Sequence, residues 1–147
     1  MGGRLLSASA AVLLEGRILL VRRRDIGTWE MPGGFVEEGE APWEAAVREC
    51  REESGVSVHP GPIAGVYHRP RQDLTVFVFR CSYVSGEPIA TDEASEAHWF
   101  RLQSLPDPWS RSSMSASTTW GWAPRSPTEP RPAGATPTFA PATRAGD

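Results

Sequence analysis

The sequence predicts an α/β domain, and three features of its first 102 residues predict it. Two apolar runs, residues 5–14 and 17–23, flank Glu15-Gly16, a dipeptide that is typical of a tight hairpin turn. Residues 42–54 place apolar side chains at helical spacing. Residues 74–83 have the β-branched and aromatic density of a central strand. Together these features indicate a sheet with a helix packed on it.

The remaining elements follow in chain order. The hairpin leads into a loop rich in Gly and Pro, after which Pro42 begins a helix that Gly55 ends. Residues 56–68 form a strand that is broken by Pro60-Gly61-Pro62. After the central strand, we predict an acidic loop at residues 91–96 and a short strand at residues 98–102.

Beyond residue 102 the periodicity vanishes. Residues 123–147 contain six Pro, six Ala, four Thr and two Gly, a composition that cannot offset its ordering entropy by burying a core. We therefore predict a domain at residues 1–102 and a disordered tail at residues 103–147. Trp109, Trp120 and Trp122 either dock on the domain or a partner or stay poorly ordered, and the second alternative is favoured.

Composition and charge exclude several classes of protein. The formal net charge of −3 offers no global positive field to duplex nucleic acid, and no apolar run is long enough to cross a membrane. Cys50 and Cys81 lie among apolar neighbours, as in a protein of the reducing cytoplasm. Residues 4–14 faintly resemble a short signal peptide, but a strand is favoured because cleavage would remove one arm of the hairpin.

The helix carries the residues that indicate chemistry. Glu49, Glu52 and Glu53 stand at i, i+3 and i+4 and therefore project from one side. Like charges at this spacing cost roughly 0.2–0.5 kcal/mol per pair, a cost that a divalent cation would reverse. Hard oxygen ligands favour Mg²⁺, with Mn²⁺ as a substitute. The alternative is a solvated acidic face. The apolar stripe beside the carboxylates is formed by Trp43, Ala46, Val47 and Cys50.

Residues 34–56 resemble the Nudix box: Gly, five residues, Glu, seven residues, Arg-Glu, an aliphatic residue, any residue, Glu-Glu, any residue, Gly and an aliphatic residue. A chance match in a chain of this length is on the order of 10⁻⁷ at typical residue frequencies. The one departure is Cys50, where the family prefers an aliphatic side chain. The seven fixed identities are Gly34, Glu40, Arg48, Glu49, Glu52, Glu53 and Gly55.

The resemblance covers residues 5–102 and implies an α/β/α sandwich around a mixed β-sheet. It implies a Mg²⁺ site formed by Glu49, Glu52, Glu53 and a carbonyl near Gly33, with Arg48 holding Glu52 in position. It also implies that water attacks the phosphorus of a diphosphate link. Members of the family differ in the base, so Glu49 and Glu96 are both candidates, with Glu93 behind them.

The resemblance implies a small nucleotide substrate and does not choose it. Nucleoside triphosphates, oxidised nucleotides and ADP-ribose are the candidates, with Arg22, Arg23, Gly34 and Glu40 as substrate-binding residues. His59, His68 and His98 lack the mutual spacing of metal ligands. Two alternatives remain: a regulatory module that senses a nucleotide without cleaving it, and a poorly folded product. A homodimer is left open as the assembly.

Overall fold

The structure, a computed structural model, describes residues 3–108. The hairpin strands, the helix and the broken strand begin and end where the sequence predicts them, within one residue. The elements are β1 (Leu5–Leu14), β2 (Arg17–Arg23), β3 (Trp29–Glu30), β4 (Gly33–Phe35), α1 (Pro42–Ser54), β5 (Ser57–His59), β6 (Ile63–Arg69), a 3₁₀ turn (Pro70–Gln72), β7 (Leu74–Ser85) and β8 (Ala94–Arg101).

The strands form a mixed sheet whose central path runs β3-β2-β1-β7-β5. β1 and β7 are parallel over Leu5–Val12, whereas the other paired strands are antiparallel. β6 pairs with β7, and β8 pairs with β2. The mixed sheet with a helix packed on it confirms the predicted fold class. A second helical layer is not among the elements of residues 3–108.

β1 and β2 part soon after their turn. Their pairing is confined to Leu13↔Ile18 and Leu14↔Arg17, and β4 takes the place beside β1 at Ser7–Ser9. Glu15 and Gly16 both have positive φ, as a tight hairpin turn requires. The parting of the two strands leaves space between them for the residues that connect β2 to α1.

Each face of the sheet has its own core. On the helix face, Ala45, Ala46 and Cys50 of α1 pack against small and apolar side chains of β1 and β7, as predicted for Ala46 and Cys50. The prediction was wrong for Trp43, which is 50% exposed. The buried side of the helix instead includes Ala45, Glu53 and Ser54, because the helix is rotated about its axis so that its acidic side lies closer to the sheet. The second core contains Ile18, Leu20, Trp29, Met31, Val76 and Val78.

Two predicted loops contain strands. Residues 94–96 belong to β8, which begins four residues before the predicted strand because β2 offers partners as far as Arg23. Within the Gly/Pro-rich loop, β3 pairs with β2 and β4 pairs with β1. Both pairings are tertiary, so a local pattern could not show them.

The end of the described chain lies against the sheet. The Trp29 amide donates to the Pro108 carbonyl at 3.0 Å, beside the edge of β3. The predicted domain boundary at residue 102 stays a prediction, and Trp109, Trp120, Trp122 and the rest of residues 109–147 lie outside the described residues. Within residues 3–108, no helix has the length and apolar character needed to cross a membrane.

Both cysteines should be inert in the folded protein. Burial raises the pKa of Cys50 to about 12 and that of Cys81 to about 11, and the two thiols are 0% and 4% exposed. A rise from 9.0 to about 12 lowers the thiolate fraction at pH 8 by about 1,000-fold. We expect no rapid reaction with a disulfide reagent at pH 8 and two reactive thiols in urea. Rapid reaction of the native protein would contradict this packing.

Candidate active site

Helix α1 brings its carboxylates to the parting of β1 and β2. Its small buried residues hold it close to the sheet, and the side chains of Glu49, Glu52 and Glu53 point toward β4 or solvent. The Glu49 side chain is 12% exposed and that of Glu52 is 43% exposed, whereas Glu53 is 7% exposed overall. Glu53 therefore does not lie on the solvent edge that helical spacing alone suggests.

The Gly33-Gly34 pair lets the helix approach β4 closely. The Gly33 amide donates to Glu53 Oε1 at 2.9 Å. A Cβ atom at Gly34 would overlap the carboxylate of Glu49, and one at Gly33 would lie 2.6 Å from the Ala8 carbonyl oxygen. Glycine is therefore required at Gly33, where a side chain would meet the backbone of β1, whereas a side chain at Gly34 would displace the Glu49 carboxylate.

Arg48 links the carboxylates of the helix to the loop before it. Its guanidinium donates to both oxygens of Glu40, at 2.7 and 3.0 Å, and also to Glu49 at 2.9 Å and Glu52 at 3.1 Å. A further bond reaches the Phe35 carbonyl at 3.1 Å. Its partners, Glu40 first, raise the pKa of Arg48 further, so it stays charged and partly neutralises the acidic cluster.

A carboxylate from outside the helix joins this cluster. Single oxygen atoms of Glu49, Glu52 and Glu93 all lie within 4.8 Å of one another. Glu93 stands in the segment between β7 and β8, immediately before Ala94 begins β8. Three carboxylates from two elements thus converge on one point, the arrangement that a divalent cation needs.

Burial and mutual repulsion disfavour the charged forms of these groups. Burial raises the pKa of Glu53 to about 8, opposed by its hydrogen bond from Gly33 and reinforced by Glu49, Glu30 and Glu93. Burial also raises the pKa of Glu49, against the effect of Arg48. The charges of the cluster exceed what Arg48 compensates, so the cluster is suited to a bound cation.

A cavity of about 530 Å³ opens beside the cluster. Glu49, Glu53 and Glu93 form part of its wall. The rest of the wall carries three Arg side chains, three more acidic side chains, two serines and several apolar side chains: Arg23, Arg24, Arg69, Asp25, Glu30, Asp92, Ser7, Ser9, Met31, Phe35, Leu74 and Val76. Carboxylates, guanidinium groups and apolar side chains therefore border one space.

The comparisons with known proteins agree with this geometry. A family model described as the NUDIX domain matches residues 3–120. The chain belongs to the Nudix family. Among its Nudix relatives is an ADP-ribose pyrophosphatase of Methanocaldococcus jannaschii, 39% identical over 63% of this chain and 59% of that protein. Another is a putative 8-oxo-dGTP diphosphatase of Bacillus subtilis, 39% identical over 67% of this chain and 68% of that protein.

Solved structures show the same fold. The crystal structure of a MutT NUDIX hydrolase from Burkholderia pseudomallei superimposes with a TM-score of 0.69, at 28% identity, over 77% of this chain and 95% of that one. The chain spans only about three fifths of the length of the M. jannaschii relative. The predicted Nudix fold is confirmed, and the activity of the whole protein is the subject of the proposal below.

Not every predicted site residue lies at the cavity of this Nudix domain. Arg22 Nη1 and Glu96 Oε1 form an ion pair at 3.0 Å, and neither residue lines the cavity. The two residues are cross-strand partners, and the register between β2 and β8 shifts at the next pair, Arg23↔Ala94. Arg22 and Arg23 are consecutive residues of β2 and therefore point to opposite faces of the sheet, so Arg23 lines the cavity and Arg22 does not.

Two further residues predicted to bind substrate, Arg23 and Glu40, have partners within the protein. Arg23 lines the cavity but donates to both carboxylate oxygens of Asp25, at 2.9 and 2.5 Å. Glu40 contacts Arg48 and accepts a bond from the Glu37 amide at 3.0 Å, and it is not part of the cavity wall. Among the described residues, Glu40 is thus a partner of Arg48 rather than a group that faces the cavity.

Sequence reasoning missed several residues of the wall. Ser7, Ser9, Glu30, Arg69 and Asp92 line the cavity although no motif marks them. Only the two serines carry a signal, since polar residues at alternate positions of the otherwise apolar β1 indicate a face that is not fully packed. The others come from loops or strand ends whose neighbours depend on the tertiary fold.

Gly34→Ala tests the close approach of β4 to the helix. The added methyl group would displace the Glu49 carboxylate, so we expect a folded protein whose dissociation constant for Mn²⁺ is about 10-fold higher, measured by electron paramagnetic resonance. Gly3→Ala is the matched control, because a Cβ atom there meets no atom within 4 Å. An unchanged affinity for Mn²⁺ in Gly34→Ala would contradict the assigned geometry.

Proposed function

We propose that this protein is a Mg²⁺-dependent hydrolase that splits the diphosphate link of a nucleoside diphosphate derivative by attack of water at phosphorus. The observation that carries the proposal is the convergence of Glu49, Glu52 and Glu93 within 4.8 Å beside the cavity. Family membership supports the same reaction, since the relatives named above are a pyrophosphatase and a diphosphatase.

The donor set fits a hard divalent cation. Every side chain of the cluster offers carboxylate oxygen, which Mg²⁺ and Mn²⁺ accept, and no thiol or imidazole is part of it. Glu49, Glu52 and Glu93 would hold the cation, with Glu53 and the Gly33 carbonyl completing the group of ligands. A bound cation supplies charge neutralisation for the diphosphate oxygens and makes the attacking water more acidic.

The chain's own residues supply the rest of the chemistry. We propose Glu49 and Glu93 as the carboxylates that accept the proton of the attacking water, because both line the cavity and both belong to the converging cluster. Glu96 does not have this position. Arg48 positions Glu49 and Glu52 through direct hydrogen bonds, and Ser7 fixes the Gly34 carbonyl with a bond of 2.9 Å.

The other residues of the cavity wall offer groups for both the phosphates and the nucleoside of a nucleotide. Arg23, Arg24 and Arg69 can meet phosphate oxygens, for which planar guanidinium groups are well matched. Leu74 and Val76 offer apolar surface for a nucleoside. The volume of about 530 Å³ lies in the range of small-molecule pockets. A nucleoside triphosphate, an oxidised nucleotide or ADP-ribose therefore remains the proposed substrate class.

The setting of the reaction is part of the same proposal. Two buried thiols without a disulfide fit a reducing compartment, so we propose a cytoplasmic enzyme that acts on free nucleotides. The homodimer stays a prediction.

The proposal is tested by incubating the protein with Mg²⁺ and a panel of nucleoside triphosphates, oxidised nucleotides, ADP-ribose and nucleotide sugars. We expect release of phosphate, pyrophosphate or a nucleoside monophosphate from at least one compound, and none after chelation of the metal. A folded protein that binds a nucleotide and cleaves no member of the panel would instead support the sensing module.

Glu49→Gln tests the site assignment on whichever substrate is cleaved. Loss of a carboxylate that both binds metal and accepts a proton should lower kcat by roughly 10²–10⁴-fold. The melting temperature should change little, because glutamine keeps the shape of the side chain. Glu38→Gln is the matched control, since it removes the same charge from an exposed residue outside the cavity. Equal kcat in the two variants would contradict the assignment.

A further inference from the structure

The segment between β7 and β8 closes over the C-terminal end of α1. The last carbonyls of a helix have no partner inside it. Here the Ser54 carbonyl accepts the Ile89 amide at 2.9 Å, and the Glu53 carbonyl accepts the Thr91 hydroxyl at 3.3 Å. The segment that carries Glu93 is therefore tied to the helix that carries the other carboxylates.

Thr91 uses its whole hydrogen-bonding capacity in this connection. Its Oγ1 donates to the Glu53 carbonyl and accepts the amides of Glu93 at 3.3 Å and Ala94 at 3.2 Å. A hydroxyl has one donor and two acceptor sites, so all three are occupied. The Thr91 amide also donates to the Ala94 carbonyl at 2.9 Å, which closes a turn around Glu93. Arg24 donates to the Thr91 carbonyl from the other side.

The turn holds Glu93 against electrostatic repulsion. The Glu93 carboxylate lies with those of Glu49 and Glu52, and its charge is among the causes that raise the pKa of Glu49. Among the described residues, no hydrogen bond to the Glu93 carboxylate opposes this repulsion. The backbone on either side of Glu93 is instead fixed by the Thr91 hydroxyl.

We propose that Thr91 is a positioning residue for the metal site: its hydroxyl couples the end of α1 to the turn that presents Glu93. The inference rests on the proposed function, because it assigns Glu93 to the cation. It goes beyond the Nudix box, which ends at residue 56, and it gives a specific role to a side chain that does not itself face the cation.

The test measures Mn²⁺ binding to the full chain by electron paramagnetic resonance, without substrate. Thr91→Val keeps the shape of the side chain and removes the hydroxyl, and we expect a dissociation constant about 10-fold higher, in the range seen when a partner of a metal ligand is lost. Thr91→Ser should restore affinity close to that of the unaltered protein. Thr75→Val is the control, since the Thr75 hydroxyl forms an exposed hydrogen bond with His68 at 3.3 Å and does not line the cavity.

A double-mutant cycle with Glu93→Gln separates positioning from general destabilisation. If Thr91 acts through Glu93, Thr91→Val should weaken Mn²⁺ binding in the unaltered background and have no further effect in Glu93→Gln. Equal weakening in both backgrounds, with a lower melting temperature, would overturn the proposal and leave Thr91 a turn residue. Thr91→Ala serves as a second variant, and failure of both to fold would equally overturn it.

The same cycle distinguishes failure of this inference from failure of the proposed function. Absence of Mn²⁺ binding in the unaltered protein would overturn both, whereas unaltered Mn²⁺ binding in Glu93→Gln would remove Glu93 from the metal site and overturn this inference alone. Weak binding in Glu93→Gln together with normal binding in Thr91→Val would overturn the role of Thr91 alone.

Discussion

The concentration of negative charge at one end of a helix is the constraint on which the rest of the site depends. Glu49, Glu52 and Glu93 converge where Arg48 donates directly to Glu49 and Glu52. Glu53 lies near enough for Glu49 and Glu93 to raise its pKa. Its paired bonds to Glu40 hold the guanidinium in one orientation, so that its remaining N–H groups face Glu49, Glu52 and the Phe35 carbonyl. Arg48 thus gives the carboxylates fixed positions while leaving the cluster short of positive charge.

Close packing of small side chains brings the carboxylates of α1 near the sheet. Ala8 and Ala10 of β1 face Ala45 and Ala46 of α1, and all four are fully buried. With such small side chains the helix axis lies near the strands, and the Gly33-Gly34 pair of β4 passes close beneath Glu49 and Glu53. The composition of the core and that of the Gly33-Gly34 pair are therefore linked: a larger residue at either place would widen the gap that the Gly33 amide and Glu53 now bridge at 2.9 Å.

Much of this arrangement could be predicted because its signals are local. Pro42 and Gly55 mark the ends of α1, Glu15-Gly16 marks the hairpin, and the spacing of the Nudix box identifies three of the carboxylates. These features depend on backbone preferences or on helix geometry, which neighbouring residues determine. Local signals do not determine whether Glu93 or Glu96 lies with the carboxylates of the helix.

That choice depends on pairing between distant strands. Glu96 lies opposite Arg22 in the pairing of β8 with β2 and forms an ion pair with it, whereas Glu93 precedes β8 and lies with the carboxylates of α1. The burial of Glu53 has a similar origin, because helical spacing defines its side of the helix but not how far the helix is rotated against the sheet. A single sequence contains neither the register of β8 nor that rotation.

The most direct test of the central claim is X-ray diffraction from crystals grown with Mn²⁺, recorded at the manganese absorption edge. We expect an anomalous peak between the carboxylates of Glu49, Glu52 and Glu93, beside the Gly33 carbonyl. A well-ordered site without such a peak, or a peak elsewhere on the domain, would contradict it.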